Sequence, residues 1–425
     1  MLTWYKINFT LATQVFRQVI LSCISLFPLF LFCAQAEGAE FSIKPSIAVS
    51  QAYDDNIYLT KEDMESDFIT RVLPSFNMEY KSVSWDLSSA YTLNWWYYWK
   101  LRQGKDSHNL NLTSQVRVIK NLLYLDVSDT YSSVILNPRR PSTDINLETN
   151  RSDSNNANIS PYVKYHITPL LSILSGYRYT NIWYREENGV KRQMHTGFAT
   201  VEYKFSPTLI TSLSVEHTYD IPENNTIDET NHKTAAFFKA LYTLNPQTDL
   251  NASIGYSWIS FANRRRDNMI LYSVLLTHRL GGTGRVELRA DSTFTPSPEF
   301  GVMESYSEQL NLIYGETFIV NGGIFHRIDR YLETGRKDTT IGSIAGIEYK
   351  LNPRLTTKVS GRYEKSKFLP EDRNREIYGA SGMISYLLTN KATLSLSYNY
   401  TRGFSRIATD DYWDNVVAVE INLNF

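Results

Sequence analysis

The sequence predicts an all-β chain closed into a single antiparallel transmembrane β-barrel, and three observations predict it. Hydrophobicity alternates with period two over nearly all of residues 41–425, which sends successive side chains to opposite faces of a strand. The alternating segments run about 11–13 residues, roughly twice a globular strand and long enough to cross a bilayer at a tilt. Their connections alternate between tight turns and longer polar stretches, a strictness that no soluble sheet requires.

Composition agrees. The 425 residues carry a formal net charge of −1, with 42% apolar and 20% charged residues. This excludes a helical membrane protein, and a near-neutral chain lacks the basic face that nucleic acid would need. Aromatic residues are too many for a coiled coil or a disordered chain, and 29 of them are Tyr and 8 Trp, rings with a polar edge.

Residues 1–36 read as a secretory signal peptide, leaving 37–425 as the barrel. Lys6 and Arg17 precede an apolar run from Val19 to Phe32 that contains Pro28, and Ala34-Gln35-Ala36 supplies a small-x-small cleavage site. A single-span anchor is the alternative. Lipidation at Cys23 is disfavoured because that residue lies in the middle of the run. Cys23 and Cys33 both fall inside this segment, so the mature chain would have no disulfide, thiol nucleophile or thiolate metal site. The chain is expected to leave the cytoplasm for the bacterial outer membrane.

The last strand shows the alternation best. Trp413, Val417, Val419, Ile421, Leu423 and Phe425 share one face, with only Asn415 breaking the row. Upstream, Leu394, Leu396, Tyr398 and Tyr400 oppose Ser395, Ser397 and Asn399. Short turns at Thr168-Pro169, Ser206-Pro207, Asn245-Pro246 and Asn352-Pro353 suit the fixed φ of proline and need no ladder hydrogen bond. Pro169, Pro207 and Pro246 recur 38 and 39 residues apart, so the repeating unit is one long hairpin. Counting segments gives about 20 strands, with 18 or 22 as alternatives. Short turns are expected on the periplasmic side and longer loops outside. Outward Trp95, Tyr97, Trp99, Tyr131, Trp183, Tyr219, Trp258, Phe294, Tyr363, Tyr400 and Trp413 would form the outer aromatic belt. Tyr80, Tyr165, Phe205, Tyr242, Tyr314, Tyr349, Tyr386 and Phe425 would form the inner one.

The C-terminal Val419-Glu420-Ile421-Asn422-Leu423-Asn424-Phe425 resembles the last-strand signal of bacterial outer-membrane barrels. Pro45-Ser46-Ile47-Ala48-Val49-Ser50, followed by Tyr53-Asp54-Asp55-Asn56-Ile57-Tyr58-Leu59, resembles the opening of β-barrel porin proteins associated with exopolysaccharide and exosortase (PEP-CTERM) systems. That resemblance implies insertion by the barrel-assembly machinery, with Val419, Ile421, Leu423 and Phe425 as its signal, and a role in polysaccharide export. It brings no catalytic residues.

Inward positions are polar and of both signs, including Arg117, Lys164, Arg178, Glu216, Arg289, Asp291, Arg327, Glu348, Lys358, Arg362 and Glu364. A water-filled channel needs such a lining, because an apolar lumen would dewet, and twenty strands enclose too much space for side chains alone to fill. Mixed signs imply weak ion selectivity. The alternative is a barrel plugged by its own loops and serving as a surface or assembly scaffold. In the longest loop, Val134 to Asn156, Arg139 and Arg140 are candidates for a constriction, although a solvated outer loop is the expected form. Arg264, Arg265 and Arg266 at a strand-to-loop junction could bind lipopolysaccharide phosphates. Asp54, Asp55, Asn56, Glu62, Asp63, Glu65 and Asp67 offer oxygens of the kind calcium takes, but their spacing matches no EF-hand, so no metal site is expected.

An outer-membrane hydrolase is the remote alternative. The seven histidines show no metal-ligand spacing and no nucleophile motif accompanies them, so neither enzymatic activity nor a cofactor is expected. Strands begin soon after the expected signal, which leaves no room for the plug of an energy-coupled receptor. Outer-membrane lipid, lipopolysaccharide and exopolysaccharide are the expected partners.

Overall fold

A computed structural model describes residues 38–425 apart from 142–149, 188, 224–229, 264, 299–300, 372 and 407–409. The segment read as a signal peptide, residues 1–36, lies outside the described residues, as does Arg264. The chain forms β1 (Glu40–Asp54), β2 (Asp67–Lys81), β3 (Trp85–Tyr98), β4 (Gln103–Ile119) and β5 (Leu123–Ile135). Then come β6 (Arg151–His166), β7 (Leu171–Tyr184), β8 (Arg192–Ser206), β9 (Leu209–Pro222) and β10 (Asn231–Asn245). β11 (Thr248–Phe261), β12 (Arg266–Leu280), β13 (Gly284–Ser297), β14 (Gly301–Tyr314) and β15 (Phe318–Tyr331) follow. β16 (Lys337–Asn352), β17 (Leu355–Leu369), β18 (Arg373–Thr389), β19 (Ala392–Ser405) and β20 (Tyr412–Asn424) complete the order.

Each strand pairs antiparallel with its sequence neighbours, and β1 pairs with β20 from Ser46↔Asn424 to Asp54↔Val416, closing the 20-stranded sheet into a barrel. Closure leaves no free edge, the condition for strands to cross a bilayer. Among the described residues no helix is long and apolar enough to do so.

The two faces follow from the register. On β1, Ala48, Ser50, Ala52 and Asp54 are buried while Val49 and Tyr53 are exposed, so even-numbered residues of this strand point inward. Carried through every pair around the circuit, the same face returns when Ala52 meets Ala418. The outer face bears the exposed apolar rows, such as Leu213 with Val215, Ile254 with Trp258, and Val417 with Val419. So much exposed apolar surface suits lipid and no aqueous surface.

The hairpin repeat has a local cause. At the short-turn end a side-chain oxygen takes up the turn's free N–H groups. Asn352 Oδ1 accepts from Arg354 and Leu355 N, and Ser206 Oγ accepts from Thr208 and Leu209 N. Each of these turns follows a one-residue bulge, which turns the strand sharply enough for a two-residue connection.

Candidate channel wall and mouth

By register, every lumen residue named from the sequence projects inward, and most meet an opposite charge or a ring. Lys358 Nζ lies 2.9 Å from Glu348, Arg289 Nε 2.7 Å from Asp291, Arg327 Nε 2.9 Å from Asp329, and Lys164 Nζ 3.7 Å from Glu202. Arg117 pairs with Asp86, and Arg178 sits 5.3 Å over the Phe198 ring. Glu364 forms an ion pair with Arg375, 3.6 Å away. Arg362 is exposed and lies across Gly379, where a Cβ would come within 2.7 Å of its Cγ. Glu216 stands opposite Phe198 and Ala235. Alternating signs cancel over a few ångströms, so the wall is polar but carries no strong net field.

The long-loop end is different, because three connections turn inward there. The β5–β6 connection crosses to β16–β18 on the opposite wall. Asn150, almost wholly buried, holds its neck by donating to the carbonyls of Asn137 and Arg140 at 2.6 and 3.3 Å. Arg139 then reaches the far wall, donating to Asp338 at 3.1 Å, Glu371 at 2.6 Å and the Leu369 carbonyl at 3.1 Å. Its guanidinium lies 5.3 Å over Phe368. From the far side Arg373 donates to the Arg139 carbonyl at 3.0 Å and Arg375 to the Arg140 carbonyl at 3.1 Å. Arg336 also pairs with Asp338.

The expected solvated loop is therefore replaced by a strap, because charge pairing with the far wall outweighs hydration of the described residues 136–141 and 150. Arg139 is an anchor, 7% exposed, and does not face solute. Arg140 remains exposed.

The second inward element is the β13–β14 tip. β12 and β13 pair only from Ser273↔Asp291 to Leu280↔Gly284. Beyond that point Ser292 Oγ takes the ladder's place, accepting from Tyr272 N and donating to Ile270 O, each at 2.8 Å. Phe294 and Val302, on outward positions, pack against inward Ile259, Phe261 and Met269, so the tip is drawn inside the line of β11 and β12. Phe294 is thus no belt residue, in contrast to the sequence expectation. The Pro298 carbonyl accepts from Val190 N at 2.8 Å, tying the tip to the β7–β8 connection.

Arg265 is also committed to this end. It donates to the Leu332 carbonyl at 3.0 Å and Glu333 at 3.2 Å and stacks 4.0 Å over Phe261, so its guanidinium is engaged with protein and is not presented to phosphate. Of the two described residues of the arginine run, only Arg266 projects from the rim. Glu333 accepts from Val302 N at 3.0 Å as well. Burial pushes its carboxyl above the ordinary glutamate range, and Arg265 offsets only part of that rise.

The third element is the β1–β2 connection. Ile57 packs on inward Ala52, Ile69, Trp96, Tyr98 and Val416, and fully buried Asn56 donates to the carbonyls of Thr60 and Trp413, each at 2.7 Å. Asn415, the residue that breaks the outward apolar row, donates through its backbone N and Nδ2 to Asp55.

Residues 343–425 match the model of a family described as "Putative beta-barrel porin 2". The fold is that of a porin-like β-barrel. The match supports a β-barrel porin family and is silent on exopolysaccharide or exosortase systems. A comparison with curated proteins returns no match.

Among solved structures, the chain is similar to the siderophore receptor PirA of Pseudomonas aeruginosa, with 9% identity, 90% of this chain and 80% of that one covered, and TM-score 0.49. It is also similar to the FrpB iron transporter of Neisseria meningitidis, with 9% identity, 90% and 81% coverage and TM-score 0.44. A loop-deletion form of OmpT, an outer membrane protein of Vibrio cholerae, gives 8% identity, 92% and 100% coverage and TM-score 0.40.

Sequence reasoning missed the strap's receptors, Asp338, Phe368, Arg373 and Arg375. Asp338, Arg373 and Arg375 show in the sequence only as charges at strand ends, and Phe368 only as an apolar residue beside them.

Proposed function

We propose that this protein is a water-filled, porin-like channel of the bacterial outer membrane that passes hydrophilic solutes through a mouth narrowed by the Arg139 strap. One observation carries the reading. A closed 20-stranded barrel presents inward a polar wall whose charges are largely paired with opposite charges, along a strand or across strands. That wall is costly to bury dry and weakly selective when wet. The reading includes export directed by residues 1–36 and assembly through the C-terminal strand signal. It also makes the protein a channel and not an enzyme. Consistent with that, His108, His195, His217 and His232 all lie on outward positions, engaged with Tyr91, Tyr177, Thr234 and Tyr219 respectively.

The test is single-channel conductance of the purified protein in a planar bilayer. Stable nanosiemens-scale steps with weak cation or anion preference support the channel. A folded barrel that never conducts supports the second reading, a scaffold, which the three inward connections favour. Exopolysaccharide is the solute that the family resemblance suggests, and block of the open channel by soluble polysaccharide chains tests it.

A further inference from the structure

The seam where β1 meets β20 holds three carboxylates at its long-loop end. Asp54 closes β1, Asp55 follows it, and Asp414 lies near the start of β20. Each offers an oxygen such that all three lie within 4.8 Å of one another. Asp54 and Asp414 are 2% and 4% exposed, while Asp55 is half-buried.

Two features separate this cluster from a solvated acidic patch. Among the described residues no Lys, Arg or His forms an ion pair with any of the three, and Lys61, in the adjoining connection, is paired with Asp411 at 3.2 Å. The second feature concerns a single atom. Asp414 Oδ1 is buried with no hydrogen-bond partner, whereas the other two carboxylates are held by donors. Asp54 Oδ1 accepts from Asn56 N at 2.8 Å, and Asp55 accepts from Asn415 N at 2.8 Å and Asn415 Nδ2 at 2.7 Å. These donors orient the two carboxylates and leave oxygen lone pairs free. Asp54 and Asp414 also meet carboxyl to carboxyl, and a buried pair of this kind without a counter-charge requires either a shared proton or a bound cation.

The three oxygens are close enough to share one cation. Calcium, which takes oxygen ligands at about 2.3–2.6 Å in a flexible shell, accepts such an irregular carboxylate set more readily than magnesium, which demands a near-ideal octahedron. We propose that Asp54, Asp55 and Asp414 form a calcium site that ties the first strand to the last at the mouth of the barrel. Water completes the shell on the half-open side of Asp55. The sequence reading expected no metal here, because Asp414 is far from the Asp54-Asp55 pair in the chain and no local motif links them.

The experiment uses the full protein folded in detergent, with terbium as a luminescent stand-in for calcium. Tyr53 and Trp413, chain neighbours of the ligands, serve as antennae. The expected result is sensitised terbium emission displaced by calcium, with affinity reduced at least tenfold in Asp414→Asn. Calcium should also raise the heat-unfolding midpoint, read by gel mobility, over that in chelator for the wild type but not for the variant. Should Asp414→Asn fail to fold, Asp55→Asn, at the half-exposed position, carries the same comparison. Equal wild-type midpoints in calcium and in chelator, or terbium emission unchanged in the folded variants, would overturn the proposal and leave a proton-sharing carboxyl pair.

Discussion

Replacing Arg139 with Ala is expected to release the β5–β6 strap and open the mouth. The side chain supplies three donor contacts, to Asp338, Glu371 and the Leu369 carbonyl. The Glu371 side chain is 58% exposed, so that pair contributes little after solvent screening. Asp338 is buried but keeps Arg336 after the substitution, so no uncompensated carboxylate remains and the cost stays below that of breaking an isolated buried pair. What is lost is one buried charge-assisted contact and one carbonyl bond, about 2–3 kcal/mol in all. That shifts the docked-to-released balance about 30- to 140-fold, enough to turn a strap free one part in a thousand into one free several per cent of the time. Planar-bilayer recording should then show frequent excursions to a larger conductance. Arg140→Ala is the control, since Arg140 contributes its carbonyl to the clamp and its side chain is exposed. If folded Arg139→Ala matched the wild type in step size and current noise, the strap would not limit the mouth and the reasoning would fail.

Other consequences can be measured directly. The Glu333 carboxyl is raised in the folded state, so it favours folding most below its ordinary value of 4.5, and that contribution is lost as pH climbs through the raised value. Glu333→Gln should therefore flatten the fall in heat-unfolding midpoint over that window, and an unchanged pH profile would refute the assignment. Gly176→Ala would place a Cβ 2.7 Å from the Pro161 carbonyl and 2.5 Å from Tyr162 Cβ. Backbone cannot yield cheaply there, so urea unfolding should show a loss of about 1–3 kcal/mol. Phe425 is 67% exposed, and its backbone N donates to the Pro45 carbonyl. Phe425→Ala should lower the yield of assembled barrel in cells while leaving refolding in detergent nearly unchanged, and equal losses in both would argue against a role as assembly signal.

The barrel was legible in the sequence because its determinants are local. A period of two decides which face of a strand meets lipid, and turns such as Asn352-Pro353 and Ser206-Pro207 carry their own capping oxygens. Strand number, closure and the inward placement of Arg117, Lys164 or Lys358 follow from repeating that local rule. The mouth follows no such rule. Arg139 and Asp338 are 199 residues apart, and Asp55 and Asn415 are 360 apart. Only closure of the sheet brings these pairs together. Arg265 looked free for the same reason, since its acceptors, Leu332 and Glu333, are more than sixty residues downstream. Phe294 was misplaced because its alternation is intact, and what changes its environment is a break in the β12–β13 ladder at Ser292. The sequence alone determined a closed, lipid-facing barrel with a polar interior, because backbone pairing and side-chain alternation act over a few residues. The tertiary structure decided how its mouth is strapped and where its seam gathers negative charge, because those contacts join opposite walls and the two ends of the chain.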